Sequence, residues 1–137
     1  MEQINDNKAM EQLKKGYEKA KEMLQDHDKM EQFLQKLEQK IKKIPFAGKK
    51  LSKVPIMAAL INSYFHKEYT DIPVGTITAI ISALIYFLSP IDIIPDGLPF
   101  IGYADDAAVV KVCWKMVESD INKYLKWREE NNRIIEF

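Results

Sequence analysis

Residues 86–106 read YFLSPIDIIPDGLPFIGYADD, and this stretch decides how the rest of the chain is organised. It holds three prolines, two glycines and four aspartates among large apolar side chains. Because prolines and glycines fix turns and helix ends, this composition is typical of a specified, packed connector. The stretch joins the most hydrophobic part of the chain to its last long amphipathic part, and we call it the connector.

The first half of the connector carries a helix start followed by a stop. Ser89 fits an N-cap, with Pro90 at the first helical position and Asp92 reaching back to a free backbone N–H. Pro95 then ends this turn, because a proline disfavours helical geometry in the preceding residue and supplies no N–H. A short helical turn is therefore predicted.

The second half of the connector predicts a chain reversal and the start of the next helix. Pro95, Asp96 and Gly97 match a turn pattern in which proline presets φ and aspartate bonds its own backbone. Residues 98–102, which include Pro99, are predicted to be extended. Asp105 and Asp106 then fall in the first turn of a helix, where carboxylates favour the positive end of its dipole.

The string SPIDIIPDGLPFIGYADD resembles the signature of the YkvA-like family, a small helical domain of unknown function found in many bacteria. The resemblance covers about residues 80–115 and depends on the spacing of its polar, proline and glycine positions. Those positions are Ser89, Pro90, Asp92, Pro95, Asp96, Pro99, Gly102, Tyr103, Asp105 and Asp106. The resemblance implies an all-helical hairpin, frequent association with membranes and no established catalytic activity.

The composition predicts a single domain without a strong charge preference. The chain has 137 residues, and twenty basic side chains balance twenty acidic ones, which argues against a general nucleic-acid binder. The single cysteine, Cys113, excludes an internal disulfide and fits a reducing compartment. Residues 1–30 are highly charged and lack the apolar core of a signal peptide. We therefore expect a cytoplasmic protein.

Residues 1–44 are predicted to form a helical arm or hairpin. Apolar residues recur at spacings of three and four over residues 7–25 and again over residues 30–44, with a break and an N-cap at Asp28 between them. Two interpretations stay open. The arm either packs on the core or binds a partner, which includes a second copy of the chain.

Residues 36–53 carry the largest local charge in the sequence. This segment contains seven lysines and one glutamate, which gives it a net charge of +6 in a neutral chain. Large apolar residues lie between the lysines. This mixture predicts an interfacial segment attracted to anionic lipid, although a solvated linker over residues 45–54 explains the same pattern. The residues predicted to contact a membrane are Lys40, Lys42, Lys43, Phe46, Lys49, Lys50 and Lys53. Phe46 is the only aromatic residue among them, which disfavours nucleic acid.

Residues 55–137 are predicted to form a helical core. Pro55 opens a helix that extends to Tyr69, and residues 72–91 follow without a single charge. Pro73 and Pro90 leave about fifteen helical residues there, roughly 22 Å against a hydrocarbon core of about 30 Å. A buried central helix is therefore preferred to a transmembrane helix over residues 72–91. The last helix is amphipathic, so its apolar face must pack against another helix outside the bilayer. A transmembrane helix over residues 72–91 could not supply that partner.

Four aspartates of the connector offer the best candidate metal ligands. Asp92, Asp96, Asp105 and Asp106 lie within fifteen positions and could bind Mg²⁺ or Ca²⁺. Each also has a structural explanation as a cap, a turn former or a dipole partner. The two histidines lie in different helices without a cysteine neighbour, so no zinc site is predicted.

The remaining candidates for chemistry have structural explanations. His66 is expected at a helix end, where partial positive charge is favourable. Cys113 is expected to be a small core residue rather than a nucleophile. No phosphate-binding glycine loop or nucleophile elbow occurs in the sequence.

The sequence thus predicts an all-α bundle with an N-terminal arm and a Pro/Asp-rich connector between its last two core helices. The predicted function is a non-catalytic module that attaches to the inner face of the plasma membrane and also contacts a protein partner, with no cofactor. Two alternatives stay open. One is a divalent-metal protein or metal-dependent enzyme that uses the four aspartates, and the other is a soluble scaffold that dimerises through residues 1–44.

Overall fold

The computed structural model describes residues 2–43, 53–88 and 106–131. These residues form six helices and no strand, so the predicted all-α fold is confirmed. In chain order the helices are α1 (Glu2–Lys15), α2 (Tyr17–Leu24), α3 (His27–Lys43), α4 (Val54–Phe65), α5 (Val74–Leu88) and α6 (Asp106–Glu130).

The first helical segment is divided in two at Gly16, whereas the sequence predicted one helix over residues 7–25. Gly16 N donates to the carbonyl of Leu13 at 3.2 Å, and this i to i−3 bond closes a tighter turn than the i to i−4 bond of an α-helix. The Leu13 carbonyl also accepts a hydrogen bond from the buried hydroxyl of Ser82 in α5. The break between α1 and α2 therefore fixes them against the central helix.

The start of α3 differs by two residues from the prediction. Asp26, not Asp28, is the N-cap, because its carboxylate accepts a hydrogen bond from Lys29 N at 3.1 Å. Asp28 lies in the first turn, where its charge favours the helix dipole.

The helices α4 and α5 are shaped by prolines. Pro55 lies in the first turn of α4 as predicted, but α4 ends at Phe65 and His66 is its C-cap. The chain leaves the helix through Lys67, whose φ of 61° is left-handed, so the predicted extension to Tyr69 is wrong. The length of α5 is fifteen residues, as the flanking prolines predicted.

The central helix of the bundle is α5. Twelve of its fifteen residues are buried, and it contacts each of the other five helices. This burial explains the uncharged sequence, because every face of the helix meets apolar neighbours. Among the described residues, none of the helices combines the length and hydropathy needed to cross a membrane.

Helices α1–α3 share one hydrophobic core with α4–α6. Leu13, Met30 and Leu37 belong to the same buried cluster as Leu60, Ile80 and their neighbours. Helices α1–α3 therefore pack on the core, while binding of a partner through residues 1–44 stays a prediction. The domain boundaries at residues 44 and 54 stay predictions.

Contacts between helices show which of their ends lie together. Along α6, Lys53 contacts Trp114 and Ser63 contacts Tyr124, so α4 and α6 run in the same direction. Thr76 Oγ1 donates to Asp120 Oδ2 at 2.6 Å, earlier in α6 than the Tyr124 ring that contacts Tyr69. Tyr69 precedes α5 and contacts Tyr124, whereas Thr76 in the first turn of α5 contacts the earlier residue Asp120. Going forward along the chain into α5 thus goes backward along α6, so α5 is antiparallel to α6 and to α4.

Helix α3 completes this arrangement. The ring of His27, at its start, lies 4.7 Å from the ring of Phe65 at the end of α4. Near its end, Lys40 contacts Phe87 of α5. Thus α3 and α5 finish, and α4 and α6 begin, at the same end of the bundle. We call it the basic end.

Candidate membrane-facing site

Of the three described lysine side chains that were predicted to contact a membrane, Lys40 is the most constrained. Its Nζ donates a hydrogen bond to the backbone carbonyl of Phe87 and lies 4.4 Å from the centre of the Phe87 ring. The last carbonyls of a helix have no partner within it, and a cation there complements the helix dipole. Lys40 therefore fastens α3 to the end of α5, and its amine is only partly available to a membrane.

Lys53 has a similar structural contact. It is the N-cap residue of α4, and its Nζ lies 4.9 Å from the centre of the Trp114 ring, a favourable cation–π arrangement. The indole Nε1 donates to Glu118 Oε2 at 3.1 Å, which orients the ring. Lys53 thus packs α4 against α6 near the basic end.

Lys42 lies on the exposed surface of α3 near the basic end. Its Nζ is 3.1 Å from Glu38 Oε1, and both side chains are more than half exposed. Such an ion pair is screened by water and contributes little to stability, so the charge of Lys42 remains accessible. Lys43 ends α3. Its side chain lies outside the described residues, as do residues 44–52 with Phe46, Lys49 and Lys50.

The family signature falls almost wholly outside the described residues. Residues 89–105 of the connector are not among them, and these include Asp92, Asp96 and Asp105. Asp106 is the first residue of α6, in agreement with the predicted helix start, but its side chain is not described. The proposed cation site at these aspartates therefore stays a prediction.

A cluster that sequence reasoning missed lies at the start of α3. Within the described residues, His27, Asp28 and Glu31 offer ligand atoms within 4.8 Å of one another, and all three side chains are exposed. The sequence could have indicated this cluster, because Asp28 and Glu31 follow His27 by one and four residues on a predicted helix. His27 already has structural contacts, with the Phe65 ring and with Glu31 Oε2 at 3.8 Å.

His66 and Cys113 both occupy the structural positions expected of them. His66 caps α4, and its Nδ1 lies 2.8 Å from the carbonyl oxygen of Asn62. Cys113 is fully buried in α6. Burial raises the pKa of the Cys113 thiol to about 12, because the thiolate would lose its hydration.

Cys113 is expected to be unreactive in the folded protein. At neutral pH a thiol with this pKa is almost entirely protonated, and thiolate is the reactive form. Iodoacetamide should leave the native protein unmodified and alkylate it fully in urea, as measured by intact mass. Rapid alkylation of the native protein would show that Cys113 reaches solvent.

A cleft that the sequence did not predict opens between α2, α3 and the last turn of α5. Its volume is about 420 Å³. Lys19, Lys29 and Lys36 line it together with Glu22 and Gln32. Its apolar floor consists of Met23, Phe33, Ile85 and Leu88. The α3 side of the cleft could have been found in the sequence, because Lys29, Gln32, Phe33 and Lys36 recur at helical spacing. The sequence did not show which other helices would pack beside that face.

Residues 76–112 match the family described as "Protein of unknown function (DUF1232)". The chain is also 32% identical over 69 residues to a protein of Bacillus subtilis (strain 168) named "Uncharacterized membrane protein YkvA". The match spans 50% of this chain and 65% of that protein, slightly less than two thirds of its length. No solved structure matches the chain significantly.

Proposed function

Since residues 76–112 match the DUF1232 family and half of the chain resembles the YkvA protein of Bacillus subtilis, we propose that it is a non-catalytic helical module that attaches peripherally to an anionic membrane surface. The relative from Bacillus is described as a membrane protein. Attachment at the surface is preferred to spanning because α5, the most apolar helix, is buried against its five neighbours. The proposed surface is the inner face of the plasma membrane.

The arrangement of helix ends supports this proposal. Residues 44–52 connect the end of α3 to the region where α4 begins, and residues 89–105 connect the end of α5 to the start of α6. All four helix ends belong to the basic end. The basic run and the apolar connector are therefore attached to the same end of the bundle. One orientation of the protein brings both attachment points towards a single surface.

The charges available at the basic end favour anionic lipid. Lys36 and Lys42 are exposed on α3, and the sequence adds Lys43, Lys49 and Lys50 immediately after them. Each lysine close to an anionic leaflet contributes about 1 kcal/mol of attraction. The apolar residues of the same segments would add burial at the headgroup boundary, so we expect attachment that is reversible and sensitive to salt.

Vesicle co-sedimentation tests the proposal. The full chain should bind vesicles that mix phosphatidylglycerol with phosphatidylcholine and release them as salt is raised. The double variant Lys42→Gln, Lys43→Gln loses two charges at the basic end, so its partition coefficient should fall roughly 30-fold at low salt.

A matched control distinguishes local charge from net charge. Lys123 and Lys126 are exposed on α6 on either side of Tyr124, which contacts Ser63 at the opposite end of the bundle. The variant Lys123→Gln, Lys126→Gln makes the same change in net charge and should bind nearly as well as the parent protein. Equal losses for both variants would contradict the proposed orientation. Equal binding to pure phosphatidylcholine would contradict the electrostatic attachment.

A protein partner, self-association through residues 1–44 and a divalent cation at the connector aspartates all stay predictions.

A further inference from the structure

The cleft between α2, α3 and α5 is lined by both basic and apolar side chains. On α3, Lys29, Gln32, Phe33 and Lys36 face it at successive turns of one helix face. The buried Phe33 ring points to the floor, while Lys29 and Lys36 are exposed at the rim about 10 Å apart along the helix. The cleft is therefore amphipathic, with an apolar base and a basic margin.

The charge of the cleft selects the sign of its occupant. Three lysines and one glutamate line it, a net charge of +2 in a chain whose total charge is zero. Several cations around one concave surface raise the local concentration of anions more than an isolated surface lysine does. Phosphate and carboxylate groups are the anions that lysine commonly binds in proteins.

The floor of the cleft selects an occupant that also has an apolar part. Met23, Phe33, Ile85 and Leu88 offer only hydrocarbon and aromatic surface. The volume of about 420 Å³ falls in the range of small-molecule sites. A bare inorganic anion would leave this apolar floor uncovered, whereas an acyl chain would bury it.

We propose that this cleft binds one anionic phospholipid molecule, with its phosphate between the lysines and the first part of an acyl chain on the apolar floor. The proposal deepens the membrane attachment proposed above and rests on it for the source of the ligand. Leu88 is the last residue of α5, and the neighbouring Phe87 contacts Lys40 at the basic end. The cleft therefore opens next to the end of the bundle that faces the membrane.

A soluble short-chain lipid tests the cleft without any membrane. Dihexanoyl-phosphatidylglycerol, kept below its critical micelle concentration, should bind the full chain and shift NMR signals of Phe33, Ile85 and Leu88. Dihexanoyl-phosphatidylcholine should bind at least about tenfold more weakly, because its headgroup has no net charge. Inorganic phosphate should also bind more weakly, because it leaves the floor exposed.

Two variants test the two sides of the cleft. Lys29→Gln with Lys36→Gln removes two exposed charges and should weaken binding of the anionic lipid roughly tenfold. Leu88→Gln places an amide on the floor and should weaken it several-fold. The Lys123→Gln, Lys126→Gln variant has the same charge as the first and should bind like the parent protein.

Several outcomes would overturn the inference. They are equal affinity for both lipids, equal affinity for inorganic phosphate, full binding by the Lys29→Gln, Lys36→Gln variant, or no binding of the anionic lipid. Because the probe is monomeric, the result is independent of vesicle attachment. Vesicle binding without short-chain lipid binding would refute the cleft alone. Short-chain lipid binding without vesicle binding would refute the surface attachment from which the ligand is supplied.

Discussion

Replacing Ala83 by aspartate is expected to abolish the folded bundle. Ala83 is fully buried in the middle of α5, the helix that contacts all the others. An unpaired buried carboxylate costs about 3–5 kcal/mol, and the added volume costs about 1–3 kcal/mol more. The sum is comparable to the whole stability of a small domain, about 5–15 kcal/mol. Far-UV circular dichroism and urea unfolding should show a loss of the cooperative transition.

The same helix supplies the control for this prediction. Val74, the first residue of α5, is 60% exposed, so Val74→Asp places the same carboxylate in water. A negative charge in the first turn also favours the helix dipole. We expect its urea midpoint to match or slightly exceed that of the parent protein. An Ala83→Asp protein that unfolds at the parent midpoint would show that α5 is not the centre of the bundle.

Truncating Phe87 to alanine is expected to lower the free energy of unfolding by about 3–5 kcal/mol. The Phe87 side chain is fully buried at the basic end, and Lys40 lies over its ring. The substitution removes the packing of the ring and leaves a cavity that the surrounding helices fill only in part. It also removes the cation–π contact that helps to hold α3 on α5. Urea denaturation monitored by circular dichroism measures the loss.

Phe87→Leu separates the contribution of volume from that of the ring. Leucine restores most of the lost hydrocarbon, so the loss should fall to about 1–2 kcal/mol. The hydrogen bond from Lys40 to the Phe87 backbone carbonyl does not depend on the side chain and should persist in both variants. Equal losses for Phe87→Leu and Phe87→Ala would mean that the aromatic ring itself, rather than buried volume, holds this end together.

Local patterns in the sequence predicted the helices well. The prolines before and after the uncharged stretch fixed the fifteen-residue length of α5, because proline excludes helical geometry in the residue before it. The errors lie at helix ends. Asp26 and Asp28 are equally good caps in a sequence, and the geometry of the turn from α2 decides between them. Gly16 breaks the first helix next to Leu13, whose carbonyl accepts a hydrogen bond from the distant Ser82 hydroxyl.

The candidate sites show a different balance. The lysine-rich run was evident from the sequence, but no sequence feature distinguished one of its lysines from another. The fold gives them distinct roles, because Lys40 and Lys53 contact the aromatic rings of Phe87 and Trp114, while Lys42 stays in solvent. The cleft was not predictable, since Ile85 and Leu88 of α5 complete its lining and lie about fifty residues further along the chain than α2 and α3.

By itself, the sequence determined the helical class, the burial of α5 and the family resemblance of the connector. These follow from short-range physics, because helical periodicity, proline geometry and a fixed motif spacing each act within a few residues. Only the tertiary structure decided that α1–α3 share the core, that four helix ends meet at the basic end, and that lysines of α2 and α3 surround an apolar floor. Those features depend on how helices pack against one another, and contacts between distant residues set that packing.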